Sequence, residues 1–223
     1  MCGRFTNRYS WRQLKELYDL TTPYLTSNFP PRYNIAPTQP SFVVRMKAGQ
    51  RELAEMQWGL VPYWSKDAKG GAKMINAQSE TADVKPAFRD PWRMRRCLVV
   101  ADGFYEWPEP ARPRFITLKD NAPFAFGGLW DAWGPERLHT FTILTTKPNE
   151  FMVEIHDRMP VMLAPESWSH WLGEARVTNA ELKALCAPFP SERMTAWPVD
   201  RAVGNVKYDE PRLVEPVQPG FGF

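Results

Sequence analysis

The second residue of the chain is a cysteine, in the opening Met1-Cys2-Gly3-Arg4. Methionine aminopeptidases remove Met1 when the next side chain is small, so Cys2 is expected at the amino terminus. There an α-amine and a thiol occupy adjacent carbons. Their ordinary pKa values, about 7.7–8.0 and about 8.5, leave a useful fraction of the amine unprotonated near neutral pH. Two chemistries are open to such a pair. The amine can condense with an aldehyde and the thiol then close on the same carbon, giving a thiazolidine more durable than an open imine. Alternatively the thiol attacks an acyl carbon with the amine as its base. Gly3 lets the backbone come close to a partner, and Arg4 brings a fixed charge suited to a phosphate. Alone, a cysteine at position 2 reads as readily as an incidental residue.

Other groups have chemistry to offer. Glu106 stands between Tyr105 and Trp107 in ADGFYEW. A carboxylate near apolar rings tends to have a raised pKa and can trade protons; the competing reading is a surface Glu at a strand end. His156 is one of three histidines, the others being His139 and His170; histidine suits proton transfer near neutral pH. Arg158 could clamp a phosphate or pair with Asp157 or Glu154. Pro37, Trp58, Tyr63 and Trp64 offer flat apolar surface to unstacked bases, although most of the ten tryptophans must serve the core.

The elements that hold these residues read as β-rich with a few short helices. Ser10 can cap a helix with Trp11, Leu14, Leu17 and Tyr18 on one face. Residues 41–46 and 52–58 read as strands about a turn at Gly49. The run CLVVA at 97–101 is of fully buried type and breaks at Asp102-Gly103. Residues 115–118, 124–129 and 140–145 read as further strands, and 148–155 as a helix. Thr178 with Glu181 makes a capping box for a helix ending near Cys186. Without regular βαβ spacing, these elements predict an α+β fold: one compact domain over 1–217 with a β-rich, open-barrel-like core, and a loose tail over 218–223.

Composition narrows the classes. The chain has 223 residues, net charge +3 and 22 prolines. That balance permits a nucleic-acid partner without demanding one. Its three cysteines, Cys2, Cys97 and Cys186, are odd in number and widely spaced, which suggests neither a disulfide framework nor a zinc site. There is no signal-peptide pattern and no apolar run near the roughly 20 residues of a membrane span. A reducing cytoplasm is the expected setting, with no membrane partner.

Several segments together are more specific than any one. MCGRF, RYNIAPTQ at 32–39, WGLVPYW at 58–64, INAQSET at 75–81, ADGFYEW at 101–107, IHDRMPV at 155–161 and AVGNVK at 202–207 resemble, in order, motifs of the SOS response-associated peptidase (SRAP) family of abasic-site-processing proteins. The resemblance implies an SRAP-like fold. It also implies binding of single-stranded DNA at abasic sites and a thiazolidine crosslink from the N-terminal cysteine to the ring-opened sugar aldehyde. Lyase and (auto)peptidase activities are further implications. By the same resemblance Cys2, Asn76, Glu106 and His156 are the catalytic set. Asn76 orients the Cys2 amine and the sugar hydroxyls, Glu106 is the general acid and base, and His156 helps open the sugar ring or reverse the adduct. The DNA-binding set is Arg4, Pro37, Trp58, Trp64, Gln78 and Arg158, with Lys207 as a further backbone contact.

Gln78 departs from the family pattern, which usually has Arg there. Weaker DNA binding, or compensation by Lys73, is expected. The implied partner is single-stranded DNA with abasic sites, bound by a monomer without metal, cofactor or obligate protein partner, in the cytoplasm and on the nucleoid at damage. The competing readings are an N-terminal-nucleophile amidohydrolase or peptidase using the Cys2 thiol, and a non-covalent single-stranded-DNA-binding module. Amidohydrolases that open on Met-Cys-Gly generally carry an Asn-Gly pair, and this chain has none.

Overall fold

A computed structural model describes residues 2–21 and 29–217; the expected loose tail lies outside them. Strand β1 (Phe5–Asn7) leads into helix α1 (Trp11–Tyr18). Ser10 Oγ accepts the Gln13 N–H while Gln13 Oε1 accepts the Ser10 N–H at 2.9 Å, a reciprocal cap. Of the four residues expected on its inner face, Trp11, Leu14 and Tyr18 are buried and Leu17 is half-buried. Then come β2 (Arg32–Ile35), β3 (Pro40–Lys47) and β4 (Gln50–Trp58). Ala48 and Gly49 both have positive φ, 51° and 78°, between the paired Lys47 and Gln50. Two such residues are what a tight hairpin following the strand twist requires.

After β5 (Asn76–Gln78) and helices α2 (Ser79–Ala82) and α3 (Arg89–Met94) come β6 (Arg96–Ala101), β7 (Gly103–Glu109), β8 (Arg112–Leu118), β9 (Phe124–Trp133) and β10 (Leu138–Thr146). Short β11 (Met159–Pro160) and β12 (Met162–Leu163), helices α4 (Trp168–Leu172) and α5 (Asn179–Leu185), and β13 (Met194–Pro198) complete the order. The Thr178–Glu181 capping box starts α5 as expected, and Cys186 ends it.

The fold is α+β, and the expected barrel is a closed one. Strands β4, β3, β6, β9 and β10 pair in sequence, and a parallel pairing of Gln57 with Thr140 and Trp58 with Phe141 joins β4 to β10. Strand β6 lies between β3 and β9 and is buried on both faces. Cys97, Val99 and Ala101 face one apolar cluster, and Leu98 and Val100 the other. This is why CLVVA reads as a continuous apolar run rather than an alternation. The second sheet has the order β13-β8-β7-β1-β2. The chain passes from barrel to second sheet at Asp102, whose carboxylate accepts Thr6 Oγ1–H at 2.6 Å and pairs with Arg8.

One expected element is absent. Residues 148–155 form successive turns, not a helix. Asn149 Oδ1 caps the Met152 N–H at 2.8 Å, and the Met152 carbonyl accepts both the Ile155 and His156 N–H groups, each at 2.8 Å. The doubled acceptor ends the ladder after one turn and sets His156 at its exit. Among the described residues no helix is long and apolar enough to cross a membrane.

Candidate active site around Cys2

Cys2 precedes β1 and is fully buried, in one cluster with Phe5, Trp58, Phe104, Phe141, Met152 and Ile155. It is fixed from two sides. Antiparallel pairing of Phe5 with Phe104, and a 3.0 Å bond from the Tyr105 N–H to the Arg4 carbonyl, lock the following strand to β7. Across the barrel rim, β5 runs parallel to β10 with Asn76 in register with Ile143. From there the Asn76 side-chain amide donates to the Cys2 carbonyl at 2.8 Å. Asn76 Oδ1 is buried without a hydrogen-bond partner among the described residues. An open acceptor on a side chain bonded to Cys2 suits an amine N–H.

Glu106 follows Phe104 by two residues on β7, so the two share a face, while Tyr105 belongs to a separate cluster on the other face. The alternation turns the carboxyl inward, 3% exposed, so it is no strand-end surface group. Burial raises its pKa to about 7; the amino-terminal charge opposes this and Asp157 adds to it. Burial also pushes the Cys2 thiol well up, with the charge of Glu106 as the next cause. The thiol is therefore held protonated.

His156 leaves its turn with Nδ1 accepting the Arg158 N–H at 3.0 Å. Asp157 Oδ1 also lies 2.8 Å from Nδ1, a contact that is an ion pair only for a charged ring. Burial first, and then the amino-terminal charge, lower the His156 pKa. The neutral ring with its proton on Nε2 is the state that fits the Arg158 bond. The charge of Glu106 acts on the Cys2 thiol, and Asp157, the neighbour of His156, acts on Glu106.

The residues expected to hold DNA divide differently. Trp58 is a correction. It is wholly buried, edge-on to Phe5 at 5.0 Å, with Nε1–H bonded to the Ile75 carbonyl at 2.9 Å. It has no face for a base. Trp64 and its neighbour Tyr63 are 53% and 57% exposed. Pro37 is half-buried, and Gln78, Lys73 and Lys207 are exposed.

Arg4 spends Nη1 on Asn34 Oδ1 (2.8 Å) and the Val203 carbonyl (2.6 Å), and Nη2 on the Gly204 carbonyl (3.1 Å). Arg158 forms a two-pronged pair with Glu80, at 2.7 and 2.8 Å, and donates to the Thr145 carbonyl at 2.8 Å. Its partner is therefore neither Asp157 nor Glu154, the two expected from sequence.

Two contributors escaped sequence reasoning. Glu80 sits in INAQSET but shows its role only through Arg158. Asn34 is fully buried and donates Nδ2–H to the carbonyls of Val203, Asn205 and Tyr208 at 2.8–3.1 Å. It clasps the AVGNVK segment to RYNIAPTQ.

The chain's relatives bear on this geometry. It is 40% identical to the abasic site processing protein YoqW of Bacillus subtilis (strain 168), over 96% of this chain and 99% of that one. It is 31% identical to the abasic site processing protein YedK of Escherichia coli (strain K12), over 97% and 100% of the two chains. A crystal structure of a protein from Bacteroides thetaiotaomicron superposes with a TM-score of 0.86 at 26% identity, covering 97% of this chain and 100% of that one. The profile of the family described as SOS response associated peptidase (SRAP) matches residues 1–206, and the chain belongs to that family.

Proposed function

We propose that the protein processes abasic sites in single-stranded DNA by forming a thiazolidine between Cys2 and the ring-opened sugar aldehyde. The observation that carries this reading is the buried carboxyl of Glu106, with a pKa of about 7, close enough to Cys2 for its charge to act on the thiol, while Asn76 holds the Cys2 carbonyl. The relatives named as abasic site processing proteins support it.

The steps follow from the protonation states. Met1 is removed, leaving the Cys2 amine. Because burial holds the thiol protonated, the amine acts first. Its nitrogen attacks C1′ of the aldehyde, with Asn76 Oδ1 accepting an amine N–H. After the nitrogen has given up one proton, the neutral acid form of Glu106 protonates the carbinolamine hydroxyl, which leaves as water, and the protonated imine and the Glu106 carboxylate remain. The Cys2 sulfur then bonds to the imine carbon, and its proton passes to the Glu106 carboxylate while the nitrogen is neutralised. The sum is aldehyde plus aminothiol giving thiazolidine plus one water. His156, neutral with its proton on Nε2, assists opening of the sugar ring. If the imine is not captured by sulfur, β-elimination gives strand cleavage, the lyase side-path.

DNA reaches the site over exposed surface. Tyr63, Trp64 and Pro37 meet unstacked bases. Gln78, Lys73 and Lys207 meet phosphates, while Arg4, whose bonds are all to neutral groups, adds positive potential from within them. A peptidase or glutaminase would need the amine to deprotonate the thiol for attack, and burial of Cys2 works against that proton transfer.

The test is incubation with uracil-excised single-stranded DNA, followed by heating and a denaturing gel. The wild-type protein should give a heat-stable shifted band that Cys2→Ala lacks, even if borohydride still traps an imine on the variant's amine. A heat-stable band with Cys2→Ala would sink the mechanism.

A further inference from the structure

Tyr63 and Trp64 are exposed, yet the backbone beneath them is gripped along its length. At its root Gly59 has φ +123°, and a Cβ there would lie 2.7 Å from the Gly71 carbonyl oxygen, so two backbones touch where only glycine fits. The Val61 N–H donates to Thr140 Oγ1 at 2.8 Å, and the Tyr63 N–H to Asp131 Oδ2 at 3.0 Å. Trp133 Nε1–H donates to the Ser65 carbonyl at 2.8 Å. These three side chains belong to one face of the β9–β10 hairpin: Asp131 is opposite Thr140, and Trp133 follows Asp131 by two residues. Asp131 is 3% exposed, and its other oxygen is held by the Ala132 N–H at 2.8 Å and Arg95 Nε at 3.3 Å. Its carboxylate is therefore aimed at the Tyr63 N–H.

We propose that Asp131, with Thr140 and Trp133, is a positioning residue that holds residues 61–65 in place before DNA arrives, so that Tyr63 and Trp64 form a ready stacking edge selecting aldehydes carried on a polynucleotide strand. The proposal rests on the DNA reading above. A loop ordered beforehand loses less conformational freedom on binding, so its aromatics contribute more of their stacking to affinity. The protein's hold on a strand is thereby traced to a buried carboxylate that touches no DNA.

The experiment is a double-mutant cycle. Binding of an oligonucleotide with a tetrahydrofuran abasic analogue is measured by fluorescence anisotropy for wild type, Asp131→Ala, Trp64→Ala and the double variant. Crosslinking rate is followed against concentration of uracil-excised DNA. Asp131→Ala and Trp64→Ala should each weaken binding by about tenfold, and the double variant by no more than either alone. For Asp131→Ala the half-saturating DNA concentration should rise accordingly, with the saturating crosslinking rate within about twofold of wild type. Asp131→Asn, which keeps an acceptor for the Tyr63 N–H, should recover most of the affinity.

Trp133→Phe removes only the bond to Ser65 from a half-buried ring, and it decides the matter if Asp131→Ala does not fold. Binding equal to wild type, or losses that multiply in the double variant, would overturn the proposal. Failure of the wild type to crosslink would instead overturn the thiazolidine reading, and the binding cycle would still judge Asp131.

Discussion

At Glu106 and Cys2, withdrawal from water favours the protonated form of each group. In the proposed reaction this delays the thiol's part until an imine exists. For the carboxyl it creates an acid that is about half protonated near neutral pH. The folded pKa of Glu106, about 7, lies above the ordinary 4.5. Its contribution to stability is therefore fully present below about pH 4.5 and is lost as pH rises through 7. Glu106→Gln, which mimics the protonated form, should match wild type in urea unfolding at pH 4. At pH 8 it should be more stable than wild type by up to about 3 kcal/mol. The same variant should crosslink about a hundredfold more slowly or worse, because it cannot trade protons. Equal stability at both pH values would mean that the carboxyl is not held as described. The motif around Glu106 was legible in sequence. Its inward direction was not, because the strand continues on both sides of it and only pairing with β1 shows which face is closed.

Among the elements, the segment from Trp58 to Ser65 shows how a motif divides its labour. Trp58 anchors the barrel wall, Gly59 permits the contact with Gly71, and the exposed aromatics come last. Reading Trp58 as a base platform failed because a tryptophan in a motif looks the same whether it packs inward or outward; burial alone separates the two. Gly59→Ala should cost about 1–3 kcal/mol in denaturant unfolding and should loosen DNA binding, since both its φ and its contact exclude a side chain. A variant with wild-type stability would show that the backbone can separate at this point. The turn at 149–156 was misread for a related reason. Its residues suit a helix, but the Asn149 cap and the doubled acceptor at Met152 are side-chain and local events that periodicity does not register.

For the whole molecule, the strands of the barrel were legible one by one, and their closure was not. The parallel contact of β4 with β10 spans more than eighty residues and leaves no mark on hydrophobic alternation. Long-range pairing also explains the arginines. Arg4 and Arg158 look like phosphate ligands in sequence, yet the fold commits them to the 203–204 carbonyls and to Glu80. With those donors engaged and Gln78 neutral, DNA binding should depend only shallowly on salt. Gln78→Arg, at an exposed strand end beside the site, should tighten binding to single-stranded DNA several-fold. It should also steepen the slope of log affinity against log salt by about 0.7, the value for one added phosphate contact on a single strand. An unchanged slope would place position 78 away from the phosphate path.

The central claim, that both the amine and the sulfur of Cys2 bond to the sugar, is met most directly by intact mass spectrometry of the heat-treated product with uracil-excised single-stranded DNA, followed by fragmentation. The predicted species has the mass of the chain without Met1 plus the oligonucleotide less one water, with the sugar carbon on Cys2 and no free thiol there on alkylation. An adduct of that mass whose Cys2 thiol is still alkylated, or one attached at any other residue, would contradict the account.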